Sequence, residues 1–518
     1  MKKHTLQLSI FTIILSIPIF AQDLNIKAGG QMYISPTAFV QVSSNLDIDS
    51  SGELIMDSVS DGFSDLFVVG TSTGLAEYRR FTASHTTRDL ISSPVAGQVF
   101  SAFATTNSGI IATGTINTSN LMYGPFDTGT GTYVEYASAE TTPLEAGKGY
   151  RAGTIHGETL TYKGIITTAD VDLPIAHGSS AGYGYTNLVG NPFTTHVLSG
   201  SVVTALGASS TINPSFAAIY GWNGTATTNP NTWKVINSLS SEELITPGQG
   251  FMVVSNSTGT FTFPKSSRRV DAEGVGEAAQ DDFIAGRQAM STPSHFKLRL
   301  MKGSHASETS LYFIDENGSR GLDVTYDAGS LDSDIGTHLV EDSQGINMAV
   351  QVFSTDDLTA TDYTIPVEVS VAAGQEATIS IHDLNVPSGT KFYLDDTQQN
   401  IKTLLTSSDY TFTPSSSLSG IGRFYLGTSL DSFSSPAVAL DSVEILSLTT
   451  TKKIVVQGQL YNDSVLKVYD ISGRVIEIYK LEASQPKHVI DVSNIGAGVY
   501  IINLNNKNQS KTTKLVIN

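Results

Sequence analysis

The 518-residue chain contains no cysteine. That one absence excludes disulfide frameworks, thiolate zinc sites, iron–sulfur clusters and cysteine nucleophiles. Charged residues are scarce, at 15% of the chain. Long solvent-facing helices, which draw on Glu, Lys and Arg for their outer faces, are therefore disfavoured. Basic residues number 30 against 49 acidic, a formal net charge of −19, which argues against nucleic acid as a partner, since its phosphates would be repelled. Beyond the first 21 residues no run approaches the roughly 18 apolar residues of a spanning helix. Glycine, by contrast, is abundant at 46 residues, with much serine and threonine, and hydrophobic residues reach an ordinary 40%. Such a composition favours many short strands joined by turns, and the length implies about two to four domains. The expected fold class is all-β and multidomain, with tandem β-sandwich-like modules.

Residues 1–21 read as a Sec signal peptide. Lys2, Lys3 and His4 form a basic start, Leu6 to Phe20 is apolar but broken by Pro18, and Ala21 offers a small residue for cleavage before Gln22. No cysteine follows the cleavage point, which excludes a lipoprotein. The expected route is through the periplasm to a secreted or outer-surface location, with no transmembrane segment left after cleavage. The mature chain then carries 28 basic and 49 acidic residues, a net charge of −21. This charge is uneven: −7 over Gln22 to Val270, −16 over Asp271 to Leu440 and +2 over Asp441 to Asn518. The change of sign and a Ser/Pro-rich break mark residues 429–440 as a linker and 441–518 as a separate module.

Within that module SVEILSLTT, KKIVVQGQ, VLKVYD, RVIEIYKL, HVIDVS, GVYIINLNN and TTKLVIN alternate apolar and polar residues between Gly, Asn, Asp and Ser. Seven strands in this length predict a small immunoglobulin-like sandwich. VYDISGRVI (Val468 to Ile476), DVSNIGAGVYIINL (Asp491 to Leu504) and KTTKLVIN (Lys511 to Asn518) resemble, in order and spacing, the type A C-terminal sorting domain of the Bacteroidetes type IX secretion system. The resemblance implies the type IX secretion machinery as a partner, a sorting motif including Gly473, Gly496, Gly498, Tyr500 and Lys514, and surface attachment or release. It implies nothing about the cargo's activity.

Residues 22–78 carry short apolar runs every 7 to 12 residues, fitting a few rungs of a parallel β-solenoid or a meander. A duplicated β module follows over 79–265, with copies at about 79–170 and 171–265. DLISSPV (Asp89 to Val95) is echoed by NLVGNPF (Asn187 to Phe193), LEAGKGY (Leu144 to Tyr150) by ITPGQGF (Ile245 to Phe251) and LTYKG (Leu160 to Gly164) by FTFPK (Phe261 to Lys265), at offsets of 98, 101 and 101 residues. The paired prolines Pro94 and Pro192 end a strand, and each Gly-x-Gly bends the chain before the next one. NLVGNPF with its downstream GQGF is similar to modules of large secreted Bacteroidetes surface proteins. Residues 266–293 read as a linker, and 294–428 as a β-sandwich resembling the one often found just before such sorting domains.

Candidate chemistry is sparse. Gly178 to Gly182 satisfies G-x-S-x-G around Ser180, but no strand–turn–helix context surrounds it. Gly147-x-Gly149 imitates a dinucleotide loop, yet its repeat continues as a strand. The ten histidines form no HExxH or close pair. Asp315, Asn317, Asp323, Asp332 and Asp334 supply hard oxygens for a candidate calcium site in the most acidic segment. Tyr220, Trp222 and Trp233 flank a Gly/Asn/Thr-rich loop and are candidates for stacking on glycan rings, or for strand-end core positions. No catalytic residue and no cofactor other than calcium is expected. The expected role is adhesion or envelope and matrix structure, with surface polysaccharide or extracellular matrix as partners. The alternative is a secreted glycan-binding protein or a hydrolase of polysaccharide or protein.

Overall fold

The computed structural model describes residues 5–8, 19–178, 185–222, 233–240, 242–270, 293–341, 345–429, 443–448, 452–458, 460, 464–471, 474–482, 487–505 and 510–517. About half of the chain is strand and 6% helix, an all-β, multidomain architecture. Contacts divide it into two units: Met1–Thr292 with Asp323–Asp332, and Pro293–Leu322 with Ser333–Asn518.

The first unit begins as a parallel solenoid. Two leader strands, β1 (Thr5–Leu8) and β2 (Ile19–Ala21), precede a first coil of β3 (Asp23–Ile26), β4 (Gln31–Ile34) and β5 (Phe39–Val42). The second coil is β6 (Leu46–Ile48), β7 (Glu53–Met56), a β8–β9 hairpin (Ser58–Val59, Gly62–Phe63) and β10 (Asp65–Val68). β11 (Ser72–Thr73) and β12 (Ala76–Thr82) start a third. Stacked partners lie 22 residues apart on two faces (Leu24↔Leu46, Met32↔Leu54) and 26 on the third (Val40↔Leu66). The β8–β9 hairpin absorbs the difference. Leu24, Met32, Val40, Leu46, Leu54 and Leu66 all point inward, at most 4% exposed. Period-2 alternation thus fills the solenoid core while Asp, Asn and Ser occupy its outside and corners.

The solenoid ends on the duplicated module, because β12 pairs antiparallel with β17 (Glu158–Gly164), from Ala76↔Gly164 to Thr82↔Glu158. The first copy contains β13 (Asp89–Ser92), α1 (Phe100–Thr106), β14 (Tyr123–Asp127), β15 (Thr132–Tyr133) and β16 (Gly149–Ala152). The second contains β18 (Val171–Ile175), β19 (Thr186–Gly190), β20 (Val197–Leu198), α2 (Ser199–Ala208), β21 (Ile219–Trp222), β22 (Trp233–Ile236), β23 (Leu244–Ile245), β24 (Gly250–Val254) and β25 (Gly259–Phe263). Strand order is the same in both: β13-β16-β14-β15 and β19-β24-β21-β22, with β12–β17 answered by β18–β25. The helices were not expected from the sequence. Each buries one side (Phe100 and Phe103; Val202, Val203 and Leu206) against its own copy. The second copy also runs past residue 265, for Ser267, Arg268 and Arg269 are buried.

In the second unit one sheet follows the path β34-β33-β36-β31-β29-β30-β27-β26-β32-β35. Its strands are β26 (Ser294–Lys302), β27 (His305–Ile314), β29 (Ile335–Thr337), β30 (Met348–Ser354), β31 (Ile365–Val369), β32 (Ala377–Asn385), β33 (Tyr393–Asp396), β34 (Ile401–Leu404), β35 (Tyr410–Phe412) and β36 (Phe424–Gly427). β28 (Ala328–Gly329) lies in the segment that belongs to the first unit. Phe296, Phe313, Phe392, Tyr410 and Phe424 share one core, so the sheet closes its two ends over common apolar residues. The terminal module has β37 (Glu444–Leu448), β38 (Lys453–Gln457) and β41 (Lys487–Asp491) in one antiparallel sheet. A second contains β40 (Val475–Leu481), β39 (Ser464–Tyr469), β42 (Gly498–Asn505) and β43 (Ser510–Ile517). Ile454, Val456, Leu466, Val468, Ile502 and Leu504 from both sheets fill its core.

Candidate functional site

The two copies of the module interlock reciprocally through their repeated motifs. Ser92 N–H donates to Gly248 O at 2.7 Å, and the equivalent Gly190 N–H donates to Gly147 O at 2.9 Å. Ile91 bridges Gln249 as Val189 bridges Lys148. Gly147 (φ +79°) and Gly248 (φ +68°) adopt the left-handed turn that an L side chain resists. Their partners Gly149 and Gly250 are needed for closeness: a Cβ there would lie 2.7 Å from the carbonyl carbon of Leu188 and 2.6 Å from that of Leu90. Each Gly-x-Gly is therefore both a turn and the face that docks on the other copy. Repetition at a nearly constant offset was the signal in the sequence; its meaning as an interface was not legible there.

A cleft of about 410 Å³ opens along this junction. Pro125, Phe126 and Lys148 line it from the first copy, Leu173, Ile175 and Leu188 from the second. Its walls are mainly apolar, and its polar groups are held in place. Asp127 accepts from Gly129 N–H at 2.9 Å and Thr130 Oγ1 at 2.9 Å. Thr128 Oγ1 donates to Thr186 O at 2.8 Å, and Asn187 accepts from Ala176 N–H at 2.9 Å while donating to Ala176 O at 2.8 Å. Lys148 leans on Glu145 at 3.3 Å. Apolar walls with a few fixed polar groups give it the chemical make-up of a candidate ligand cleft.

Charges around the junction are committed to structure. Arg80, 1% exposed, donates to Asp89 Oδ2 at 3.0 Å, Gln249 Oε1 at 3.3 Å and Pro247 O at 3.3 Å. Burial pushes the Asp89 carboxyl above its usual range although Arg80 opposes the shift. Glu135 caps a nest of backbone donors, Thr115, Ile116 and Asn117 N–H at 2.8, 2.9 and 2.9 Å, and meets Arg151 at 3.1 Å. Burial acts to raise its carboxyl, but those donors and Arg151 outweigh it and lower it. Asp65 on β10 is fully enclosed and accepts from His196 Nδ1 at 2.7 Å, His196 N–H at 2.6 Å and Thr195 Oγ1 at 2.8 Å. Here too burial raises the value and His196 more than reverses it, leaving the carboxyl below its ordinary range.

The residues singled out in the sequence fall as follows. Tyr220 is fully buried and donates to Gly329 O at 2.8 Å, a core position rather than an open ring. Trp222 and Trp233 face each other across β21–β22, ring centroids 5.5 Å apart and edge to face. Trp233 is 8% exposed, whereas Trp222 is half-buried and donates its indole N–H to Thr87 O at 3.2 Å. Most of the loop between them, like Ser180, lies outside the described residues.

Of the candidate calcium ligands, Asp315 accepts from Thr355 Oγ1 at 2.6 Å and Asp334 meets Lys302 at 2.7 Å and His305 at 3.0 Å. Asn317 has φ +63°. Asp323, whose backbone N–H donates to Asp327 at 2.8 Å, and Asp332 belong to the first unit, and the other three to the second. Among the described residues no three His, Cys, Asp or Glu side chains assemble into a metal-holding group.

In the terminal module Tyr500 donates to Gly496 O at 2.9 Å, and a Cβ on Gly498 would touch the Tyr500 ring at 3.3 Å. Lys514 on β43 stands opposite Ile501. Gly473 lies outside the described residues.

Fold and terminal module together define a multidomain all-β protein that carries a secretion sorting domain. The chain belongs to the family described as Domain of unknown function (DUF8693), which matches residues 7–427. Residues 446–518 match the Secretion system C-terminal sorting domain, which supports the chain as a type IX secretion substrate. One solved structure, titled "Biofilm associated protein - BSP domain", is similar at 10% identity and a TM-score of 0.13. The similarity covers 52% of this chain and 48% of that one. No curated protein matches the sequence. Among the described residues no helix is long and apolar enough to cross a membrane.

Proposed function

We propose that this chain is a Bacteroidetes-type exported protein, delivered by a Sec leader and the type IX machinery to the outer surface, where it serves adhesion or envelope and matrix structure without catalysis. The sorting domain over residues 446–518 carries the reading of the route. Supporting the structural role, Asp65, Asp89 and Glu135 each hold two segments together rather than face a cleft as an acid–base pair. Asp396 does the same in the second unit, taking Arg423 at 2.6 Å and Tyr410 at 2.6 Å. Deleting Asp441 to Asn518 is expected to trap the protein in the periplasm. A truncated chain that still reaches the surface would refute the route.

The cleft between the copies favours a second reading, binding of surface polysaccharide or matrix without turnover. Lys148→Glu and Phe126→Ala should weaken retention on such material while leaving the melting temperature near that of the parent. Unchanged retention removes the cleft from consideration.

A further inference from the structure

Among the described residues, no strand after Ala21 pairs with the outer edge of the first coil of the solenoid. In the full-length chain the leader occupies that end: β1 lies parallel to β3, Thr5↔Asp23 to Leu8↔Ile26, and β2 lies parallel to β5, Ile19↔Val40 to Ala21↔Val42. β4 is already the terminal strand of its sheet. Cleavage before Gln22 would therefore leave three neighbouring strands with open edges. The backbone direction is fixed by the pairing with the second coil. Leu24 donates to Asn45 O, and Ile26, Gly30, Ile34, Ala38 and Val42 carbonyls accept from Asp49, Glu53, Asp57, Asp65 and Val69. Parallel strands alternate the side to which their amides point, so the groups of Asn25, Gln31, Tyr33, Phe39 and Gln41 face the open end.

Edge strands that must stay monomeric are guarded by lysine, proline, inward charges or bulges. The three strands DLNI, QMYI and FVQV carry one charge, Asp23, and neither lysine nor proline. The opposite end is covered within the chain on two of its three faces, β11 being the terminal strand of the third. On the covered faces β12 takes β17, Leu66 N–H donates to Thr194 O at 2.8 Å, and Arg268 donates to Val68 O at 2.8 Å. Head-to-tail stacking of solenoids is thereby obstructed on those two faces, and among the described residues the leader end is the one where all three edges would open.

We propose that the mature chain forms a head-to-head dimer in which the first coils of two copies pair edge to edge. A two-fold axis across a three-sided coil lets one strand pair with its own equivalent and the other two pair reciprocally, all antiparallel. Such an isologous contact satisfies the three edges together and closes, giving dimers rather than filaments. The leader acts as a temporary cap that blocks pairing before export. The proposal rests on removal of residues 1–21, which N-terminal sequencing of the exported protein reports separately.

Sedimentation of the chain expressed from Gln22 to Asn518 tests it. The expected result is a concentration-dependent dimer. The triple variant Asn25→Lys, Gln31→Lys, Gln41→Lys should dissociate at least tenfold more readily, because like charges meet across the axis, while its thermal melt stays close to the parent's. Gln41→Pro, which removes one edge donor, should weaken the dimer without a new charge, and the chain retaining its leader should be monomeric. A monomeric mature chain would overturn the proposal, as would a dimer indifferent to the folded triple variant, equal dimerisation with the leader retained, or capture of only an unrelated protein.

Discussion

The two copies of the duplicated module share strand order, helix position and the Gly-x-Gly interlock, yet differ in how they fill equivalent core sites. Pairing of β12 with β17 sets Arg80 opposite Leu160, while pairing of β18 with β25 sets Leu173 opposite the corresponding Phe261. Asp89, the partner of Arg80, corresponds to Asn187, and Arg151 opposite Leu90 corresponds to Met252 opposite Leu188. One copy thus holds a buried ion pair where the other holds an apolar side chain and a neutral amide. The same fold closes either way. The charges in the first copy also reach further, from Arg80 to Gln249 and Pro247, and so tie it to the second. Buried pairs of this kind contribute little net stability over an apolar filling but are costly to break singly.

That contrast is open to direct attack. Arg80→Leu, which copies the second module, should destabilise by about 3–5 kcal/mol because it strands the Asp89 carboxylate. Adding Asp89→Asn should recover a substantial part, a coupling that a double-mutant cycle in denaturant reads directly. Next in size, Gly149→Ala and Gly250→Ala should each cost about 1–3 kcal/mol, since the added methyl meets backbone of the other copy. Equal losses by thermal melting would show the interlock to be symmetric; a loss at one glycine alone would break the equivalence.

Much of this arrangement was legible in the sequence. DLISSPV and NLVGNPF, LEAGKGY and ITPGQGF announced two copies, and the alternation in the last 78 residues announced seven strands. The helices were not legible, because FSAFATT and SGSVVTALGA carry no charged face and have no side-chain cap. The solenoid period was obscured by the β8–β9 hairpin, which makes one offset 26 where its neighbours are 22. Long-range pairs such as Arg80 with Gln249 leave no local pattern at all. The same holds for the cleft, whose walls come from segments that are neighbours only after the copies interlock. Tyr220 and Trp233 illustrate the limit in another way: aromatics beside a polar loop read equally as an open platform or as strand-end core, and burial decides.

A smaller effect concerns the link between the solenoid and the second copy alone. Thr195 and His196 hold Asp65, whereas the corresponding positions of the first copy are Gly97 and Gln98. Folding lowers the Asp65 pKa below 3.8. The folded state therefore binds that proton less readily than the unfolded chain, so the stabilisation is present above pH 3.8 and is lost as pH falls through the depressed folded value. The gap in melting temperature between the parent and Asp65→Asn should accordingly narrow on acidification below pH 3.8. A gap constant down to strongly acidic pH would deny the carboxylate that role. The smallest change lies outside the duplication: Tyr500→Phe should remove the bond to Gly496 O and cost about 0.5–1.5 kcal/mol, seen in the sorting module and not in the interlocked copies.

The central claim is delivery of this cargo to the cell surface. Treating intact cells of the native host with a membrane-impermeant amine reagent tests it most directly. The full chain should be labelled on intact cells, and deleting Asp441 to Asn518 should abolish labelling until the outer membrane is opened. A full-length protein labelled only after the outer membrane is broken would contradict it.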